Sequence, residues 1–399
     1  MAWQRRRYRG RDLSRHLTIA DLREAAMRRV PRFVFEYVEG GADDEHTLRR
    51  NRAVFDELRL IPNTLVQTTG RHQRISLFGR ESASPLLIAP TGGNGVLQGR
   101  GDEALASAAR AAGIPFCLST MSQVRLDELA RTVGGRLWMQ LYVKKARGAA
   151  EDIVARARDC GYEALVFTTD ANVFGQREWD KRNYRAPGRP TWPNLLEVLT
   201  HPRWAYEVLL RDGIPQFQNL APFLPPGAAS AIGGSTIIPR LFAGDIGWEQ
   251  VDWLRRLWPG KFLIKGILSL QDAERAAQAG CDGVILSNHG GRQLDHCVSA
   301  MDMLPAIAAH LGDRLTLIVD GGFRRGTDVI KAMALGAHGV MLGRATLYGL
   351  AAGGEAGVRR ALEILSGEID RTLGHLGCNS IAELGPQFLV RGGAGPGSA

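Results

Sequence analysis

Short apolar runs recur along the chain between residues 85 and 342, and each is three to five residues long. Their length and their content of β-branched residues are typical of strands that are buried on both faces. Alanine-rich segments with helical spacing, such as residues 102–112 and 328–335, lie between most of the runs. The pattern predicts eight strands that alternate with helices, at residues 85–89, 115–118, 137–141, 164–168, 262–264, 284–286, 315–319 and 339–342.

The spacing of the strand ends predicts that these strands close into one barrel. Six of the intervals between successive strand ends are 23 to 32 residues long, which fits one strand with its helix, and one interval is 95 residues long. We therefore predict an α/β fold, a (β/α)8 TIM barrel, with an insertion after strand 4 at about residues 175–245. Active sites of such barrels lie at the C-terminal ends of the strands. At those ends the chain has Thr91, Ser119, Tyr142, Asp170, Lys265, Asn288, Asp320 and Gly343.

Residues 18–60 are predicted to form an N-terminal helical cap on the barrel. Thr18 and Asp21 fit the start of a helix, and Gly40 and Gly41 follow the end of the next helix, where glycine is frequent. The predicted domain organisation is therefore a flexible basic leader at residues 1–17, the barrel at residues 18–389 and a flexible tail at residues 390–399.

The insertion combines apolar and basic residues. Its first half has tryptophans and leucines framed by arginines, and His201-Pro202 interrupts the helical pattern. Residues 214–239 carry no charge but contain five prolines and three glycines, which excludes a transmembrane helix. Two interpretations stay open. The insertion packs on the barrel or on a neighbouring subunit, or it attaches to a membrane surface, with Trp and Leu at the headgroup boundary and Arg on anionic lipid.

Composition is that of a globular protein, with 45% hydrophobic and 23% charged residues. The net charge of +9 is concentrated near the N-terminus, which is either a solvated tail or a contact with anionic lipid. No nucleic-acid-binding signature accompanies it, so we expect no nucleic-acid partner.

Five cysteines without a C-x-x-C pair favour a reducing compartment and no metal site. Since no secretory signal is evident, we expect a cytoplasmic location. The leader arginines are Arg5, Arg6, Arg7, Arg9, Arg11 and Arg15.

The most polar strand end is SNHGGRQLD, at residues 287–295. His289 is a side chain that changes charge near neutral pH, and Arg292 offers a planar fork for a carboxylate. A lone histidine more often has a structural role, and each of these residues could serve packing alone. Burying so many polar groups is costly unless something binds them. The loop therefore predicts a site for an acid substrate with a removable proton.

Residues on neighbouring strand ends would complete this site. Asp170 would stabilise the imidazolium of His289, and Arg177 would be the second arm of the carboxylate clamp. The hydroxyls of Tyr37 and Tyr142 could hold a substrate oxygen. Together with the histidine and Arg292, these residues predict an acid–base site that binds a carboxylate.

Two glycine-rich turns with arginines, at residues 320–326 and 342–344, end strands 7 and 8. Turns at these two positions are the usual phosphate site of such barrels. Because no G-x-G-x-x-G follows a first strand, flavin mononucleotide fits better than a nicotinamide cofactor. Lys265 would stabilise the negative charge of reduced flavin, and Gln140 and Thr168 could hydrogen-bond the ring edge. A lysine that only caps its strand is the alternative.

Several stretches together resemble the FMN-dependent α-hydroxy acid dehydrogenase and oxidase family. They are SNHGGRQLD at 287–295, DGGFRRGTD at 320–328, QLYV at 140–143, IAPTG at 88–92, and Thr169-Asp170 with GQRE at 175–178. The resemblance runs from about residue 22 to residue 389. It implies an FMN enzyme that oxidises an (S)-2-hydroxy acid to the 2-oxo acid.

The resemblance also implies roles for individual residues. His289 would be the base, supported by Asp170, with Tyr142 and Lys265 in the catalytic set. The substrate would be bound by Tyr37, Tyr142, Arg177, His289 and Arg292. FMN would be lined by Pro90, Thr91, Gly92, Ser119, Gln140, Thr168, Lys265, Ser287, Asp320, Gly322, Arg324, Gly343 and Arg344.

Within the family, residues 35–45, 201–204 and 366–378 are similar to members that act on (S)-mandelate. This implies an aromatic acid as substrate, a homotetramer, and peripheral attachment of the insertion to the cytoplasmic side of the inner membrane. Gly92 replaces the alanine usual in the oxidases, which implies electron transfer to a membrane quinone and slow reaction with oxygen. An L-lactate dehydrogenase or an oxygen-using oxidase of the same family is the alternative.

Overall fold

The computed structural model describes residues 8–143, 147–186, 189–224, 229–230 and 246–392. Within these ranges eight parallel strands, β1 to β8, close into a barrel in which β8 pairs with β1. All eight predicted strands are confirmed, and β5 extends beyond residues 262–264 at both ends. The strands are β1 Leu86–Ile88, β2 Phe116–Leu118, β3 Leu137–Leu141, β4 Ala164–Thr168, β5 Lys261–Ile267, β6 Gly283–Leu286, β7 Thr316–Val319 and β8 Gly339–Leu342.

Helices surround the barrel and cap it. Side chains that accept from backbone N–H groups fix several helix starts, including Ser269 and Ser299, as expected for N-caps. The helices are α1 Ile19–Arg29, α2 Arg32–Glu39, α3 His46–Asp56, α4 Asn94–Leu97, α5 Gly101–Ala111, α6 Leu126–Thr132, α7 Gly148–Asp159, α8 Glu178–Arg182, α9 Trp192–Leu199, α10 Pro202–Ala205, α11 Trp248–Leu257, α12 Leu270–Gln278, α13 Ala300–Leu311, α14 Gly326–Ala334 and α15 Arg344–Leu376, which is kinked at Gly353 and Gly354.

The N-terminal cap consists of α1, α2 and α3. Thr18 and Asp21 form a reciprocal capping box, which confirms the predicted start of α1. Helix α2 ends at Glu39 as predicted, but Gly40 has φ −63° and ψ 146°, which is extended backbone and not the left-handed conformation expected of a C-terminal glycine. The chain therefore leaves α2 in an extended conformation at Gly40, and Ala42 N then donates to Gly291 O at 2.9 Å, which connects this segment to the loop after β6.

The barrel interior follows the two-residue period of its strands. Trp138, Val166 and Ile318 belong to a buried cluster that is separate from the larger one packed against the helices. The hairpin of strands Ile75–Leu77 and Arg80–Ser82 lies beneath it, with Phe78 5.8 Å from Trp138 between ring centroids. The same alternation places the next strand residues on the inner face near the top. These residues are polar: Gln140, Thr168, Lys265, Ser287 and Asp320.

The insertion follows β4 and begins with α8. It continues through the short paired strands Tyr184–Ala186 and Arg189–Pro190, then α9 and α10, a π-helical turn at Tyr206–Leu210 and a 3-10 turn at Ala221–Phe223. Helix α9 ends at Leu199 and α10 begins at Pro202, so the predicted break at His201-Pro202 is confirmed. Most of the proline-rich half of the insertion, residues 225–228 and 231–245, lies outside the described residues.

Both predicted terminal boundaries need correction. Leu13–Arg15 form a 3-10 turn, and Arg360 of α15 donates to the carbonyl oxygens of Ser14 and His16, so the docked chain begins well before residue 18. At the other end, Leu389–Arg391 pairs antiparallel with Leu58–Leu60, so the barrel domain extends past residue 389. Residues 1–7 and 393–399, which hold the rest of the predicted leader and tail, are outside the described residues.

Candidate active site

His289 and Asp170 form the centre of the site. His289 follows β6, Asp170 follows β4, and His289 Nδ1 lies 2.8 Å from Asp170 Oδ1. The other ring nitrogen, Nε2, lies 3.5 Å from the hydroxyl oxygen of Tyr142. A carboxylate on Nδ1 holds a proton there in the neutral imidazole, which leaves Nε2 as the proton acceptor.

The loop that carries His289 has an unusual backbone. His289, Gly290 and Gly291 have successive φ angles of +57°, +66° and +73°, in the left-handed region. A Cβ on Gly291 would lie 2.7 Å from the backbone nitrogen of Leu48, so only glycine fits there. A left-handed histidine is strained, and strain of this kind is typical of functional loops.

Opposing effects set the charges of this pair. Burial lowers the pKa of His289 below its ordinary value, although Asp170 acts in the opposite direction. Burial would raise the pKa of Asp170, but the charges of His289 and Lys265 outweigh it and lower that pKa. At neutral pH the imidazole is therefore neutral and able to accept a proton, and the carboxylate is ionised and able to stabilise the product imidazolium.

Two arginines and a tyrosine line the same cavity as His289. Arg177 precedes α8, Arg292 belongs to the His289 loop, and both line the cavity with Tyr37 of α2. The guanidinium carbon of Arg292 lies 5.3 Å from the centre of the Tyr37 ring, and the Tyr37 hydroxyl donates to Gly92 O at 3.0 Å. Burial and the neighbouring charge of Arg177 lower the pKa of Arg292. Two cations brought this close favour an anionic ligand between them.

Lys265 occupies the inner face of β5. Its Nζ donates to Ser287 Oγ at 2.6 Å and lies 3.1 Å from Asp320 Oδ2. Burial lowers the pKa of Lys265, but Asp320 and Asp170 raise it above its ordinary value, so the ammonium stays charged. An ammonium has three donors, and these two contacts leave one for a ligand in the cavity.

The ends of β7 and β8 form a cradle for an anion. Gly321 and Gly322 have φ +100° and +84°, and a Cβ on Gly322 would lie 1.9 Å from the backbone oxygen of Asn51. Gly343, at the start of α15, has open space where a Cβ would be. The N-terminus of a helix attracts phosphate through its free N–H groups and dipole. Arg324 and Arg344 add positive charge to the cradle walls.

The site also fits the ring of FMN. Among the residues that the structure describes, Gln140 Nε2 and Thr168 Oγ1 are buried without a hydrogen-bond partner. Gln140 accepts through its amide oxygen from Thr120 N at 3.1 Å, so the amide is oriented with its nitrogen as a donor. Buried polar atoms without partners are rare in folded proteins, and in a cavity a bound ligand can supply the partner. Ring donors, a lysine and a phosphate cradle in one cavity therefore match a flavin mononucleotide.

The cavity brings most of the predicted residues together. Four others reach it through neighbours: Asp170 contacts His289, Ser287 contacts Lys265, Gln140 hydrogen-bonds Ser119, and Thr168 lies beside Lys265 in the sheet. The predicted residues that line the cavity are Tyr37, Pro90, Thr91, Gly92, Ser119, Tyr142, Arg177, Lys265, His289, Arg292, Asp320, Gly322, Arg324, Gly343 and Arg344.

The apolar wall of the cavity was not predicted from the sequence. Phe174, Phe217 and Met121 line it together with the polar groups named above. Phe174 stands between Asp170 and Arg177, so its position in the loop after β4 was a usable signal. Phe217 lies in the uncharged half of the insertion, where the sequence contains no signal that it returns to the barrel mouth.

Fold and site together define a class: a (β/α)8 barrel with a positively charged, glycine-rich cradle at β7 and β8 and a His–Asp pair beside two arginines. Residues 26–391 match the FMN-dependent dehydrogenase family, and the chain belongs to that family. FMN is therefore its cofactor, and the predicted resemblance is confirmed.

The chain is also similar to individual proteins over most of its length. The chain is 45% identical to (S)-mandelate dehydrogenase of Pseudomonas putida over 376 residues, 94% of this chain and 94% of that protein. It is 40% identical to L-lactate dehydrogenase of Caulobacter sp. (strain K31), over 93% of this chain and 97% of that protein. The crystal structure of the monotopic membrane protein (S)-mandelate dehydrogenase matches with a TM-score of 0.89 and 44% identity, over 94% of this chain and 99% of that one.

Proposed function

We propose that this protein oxidises (S)-mandelate, or a related aromatic (S)-2-hydroxy acid, to the 2-oxo acid. The observation that carries the proposal is one cavity that is lined by His289, two arginines and two tyrosines and also by apolar side chains. The similarity to (S)-mandelate dehydrogenase over 94% of the chain supports the same substrate class.

One group of residues binds the substrate and accepts its proton. Arg177 and Arg292 bind the substrate carboxylate, with Tyr37 beside them, and so fix the acid in one orientation. His289 Nε2 accepts the proton released in the oxidation, and Asp170, 2.8 Å from Nδ1, stabilises the resulting imidazolium. Tyr142, 3.5 Å from Nε2, holds the substrate hydroxyl near the base.

A second group of residues serves the cofactor. When bound, FMN supplies the two-electron acceptor that the reaction requires. Lys265 places a positive charge beside the ring, while Gln140 and Thr168 offer hydrogen bonds to the ring edge. Pro90, Thr91 and Ser119 lie on the adjoining strand ends, and the glycine turns of β7 and β8 with Arg324 hold the phosphate.

The apolar wall predicts a preference for a phenyl side chain over a methyl group. Phe174, Phe217 and Met121 would bury the ring of mandelate, and burying a Phe-sized side chain contributes about 1.5–3 kcal/mol. We expect kcat/KM for (S)-mandelate to exceed that for (S)-lactate by about 10- to 100-fold. Steady-state assays with both acids and one artificial acceptor measure this ratio. A ratio below one would favour the L-lactate dehydrogenase alternative.

The insertion supports a further part of the proposal, peripheral attachment to the cytoplasmic face of the inner membrane. In the described part of the chain no helix has the length and apolarity needed to cross a bilayer. The similar solved structure is described as monotopic. Arg185 lies 4.6 Å over the Trp192 ring, so basic and apolar groups adjoin as lipid attachment requires. The exposed apolar residues in the described part of the insertion include Trp192, Leu196, Leu199, Tyr206 and Leu210.

Charges placed in that apolar surface are expected to weaken membrane binding. The double variant Leu196→Asp, Leu199→Asp should reduce cosedimentation with anionic lipid vesicles at least tenfold, because two exposed leucines no longer enter the bilayer. Leu17→Asp is the matched control, since Leu17 is 68% exposed and Leu196 is 65% exposed, but Leu17 is remote from the insertion in sequence. Equal sedimentation of the double variant and the wild type would contradict attachment through this surface.

Gly92 supports a membrane quinone as the electron acceptor. A Cβ at this position would lie 2.8 Å from Cβ of Met121, so the cavity wall is built around glycine. Alanine is usual here in the oxidases of the family, and we therefore propose that oxygen reacts slowly. Reoxidation of the reduced enzyme by a quinone analogue should be faster than by air-saturated buffer, and the reverse order would refute the proposal.

A homotetramer is proposed from the family resemblance alone, and size measurement in detergent tests it.

A further inference from the structure

We propose that Arg344 is a positioning residue whose side chain joins the cap, the catalytic loop and the phosphate cradle. Its guanidinium donates three hydrogen bonds to backbone oxygens: Nε to Val38 at 2.8 Å, Nη1 to Gly290 at 2.7 Å, and Nη2 to Gly40 at 3.0 Å. The sequence predicts only a cofactor contact for this arginine. The three bonds show that most of its guanidinium serves the protein itself.

The carbonyls that Arg344 binds flank the substrate site. Val38 follows Tyr37, and Gly40 comes just after the C-terminus of α2, where carbonyl oxygens lack partners within the helix. Gly290 follows His289 within the strained loop. Arg292 donates to the same Gly40 oxygen at 2.8 Å, so both arginines hold the end of α2. One side chain therefore fixes the positions of Tyr37 and His289 relative to each other.

Arg344 also lies beside the proposed phosphate cradle. Arg344 begins α15 directly after Gly343, where the cradle is open. Among the described residues no carboxylate forms an ion pair with Arg344, although the side chain is partly buried. A half-buried cation without an ion pair favours an anion, and the phosphate of FMN would supply it. This step rests on the proposed site for FMN, and it predicts that loading the cofactor also rigidifies the cap and the catalytic loop.

Replacing Arg344 with lysine separates its two roles, the charge near the phosphate and the hydrogen bonds to three carbonyls. An ammonium retains the charge that a phosphate needs, but it has no planar fork that reaches three carbonyls at once. In the Arg344→Lys holoenzyme we expect FMN to stay bound with a dissociation constant near the wild-type value. Hydrogen exchange of residues 36–44 and 287–292 should become at least tenfold faster, and KM for the acid should rise by about tenfold, because bonds to a charged donor are lost.

Arg359→Lys is the matched control, because Arg359 also lies on α15, pairs with Glu355 at 2.6 Å and is 47% exposed. It should leave exchange in both segments unchanged. If Arg344→Lys does not fold, Arg344→Gln replaces it: exchange should stay fast in that variant even at saturating FMN.

Wild-type exchange in both segments, together with weakened FMN binding, would show that Arg344 is a phosphate ligand only and would overturn the proposal. Exchange requires no substrate, so the result stands even if no 2-hydroxy acid is oxidised. Failure of the proposed function would instead appear in the wild-type enzyme as a flavin that no acid reduces.

Discussion

Replacing His289 with glutamine is expected to lower the rate constant of flavin reduction by about 10²- to 10⁴-fold, the usual contribution of a general base. Glutamine preserves the size and polarity of the side chain but cannot accept the proton at Nε2. The FMN content should be unchanged, because the described contacts of His289 are to Asp170, Tyr142 and Ser287 and none is in the phosphate cradle. Anaerobic stopped-flow absorbance with a saturating acid gives the rate constant directly.

Asp170→Asn is the matched control for this prediction. Burial lowers the pKa of His289 and Asp170 raises it, so removing the carboxylate should lower that pKa further. The acid limb of kcat/KM, where protonation of the base abolishes activity, should therefore move to lower pH. Loss of one charged hydrogen bond predicts a decrease in rate of about 10- to 100-fold, smaller than for the histidine. A His289→Gln enzyme at the wild-type rate would refute the assignment of the base.

Removing Arg292 is expected to cause a loss of similar size, about 10²- to 10⁴-fold in kcat/KM for Arg292→Met. The substrate carboxylate would lose one arm of its clamp, and Gly40 O would lose one of its two arginine donors. Arg292→Lys keeps the charge without the fork and should recover only part of the activity. Steady-state kinetics over a wide range of acid concentration measures both variants.

Arg177→Met isolates the carboxylate contribution, because the one described hydrogen bond of the Arg177 side chain is a long one, 3.4 Å to Arg292 O. Its loss should appear mainly in KM. If both methionine variants bind and oxidise the acid with wild-type constants, the two arginines do not form the clamp.

Elements with a short-range signal could be predicted from the sequence. The eight strands follow from runs of apolar residues, and the inward polar positions follow from the same two-residue period: Val166 in the interior predicts Thr168 at the mouth. The chain also places His289 and Asp170 on loops that a barrel must bring together at one end. Their 2.8 Å contact agrees with that expectation.

Contacts between distant segments could not be predicted in this way. The pairing of Leu389–Arg391 with Leu58–Leu60 corrects the domain boundary. Neither segment has a sequence pattern that predicts the other as its partner. Phe217 returns to the barrel mouth from an insertion without a repeating pattern. Arg344 binds backbone oxygens of residues 38 and 40, and a backbone acceptor leaves no trace in the identity of its residue.

Anaerobic mixing of the FMN-loaded protein with (S)-mandelate, and separately with (R)-mandelate, tests the central claim most directly. Flavin absorbance reports oxidation of the acid without any assumption about the physiological acceptor. We expect rapid bleaching by the (S)-acid and little or none by the (R)-acid, because the arginine clamp and His289 Nε2 accept one orientation. Absence of bleaching by (S)-mandelate, (S)-lactate and every other 2-hydroxy acid would contradict the account and leave only the barrel and its cofactor site.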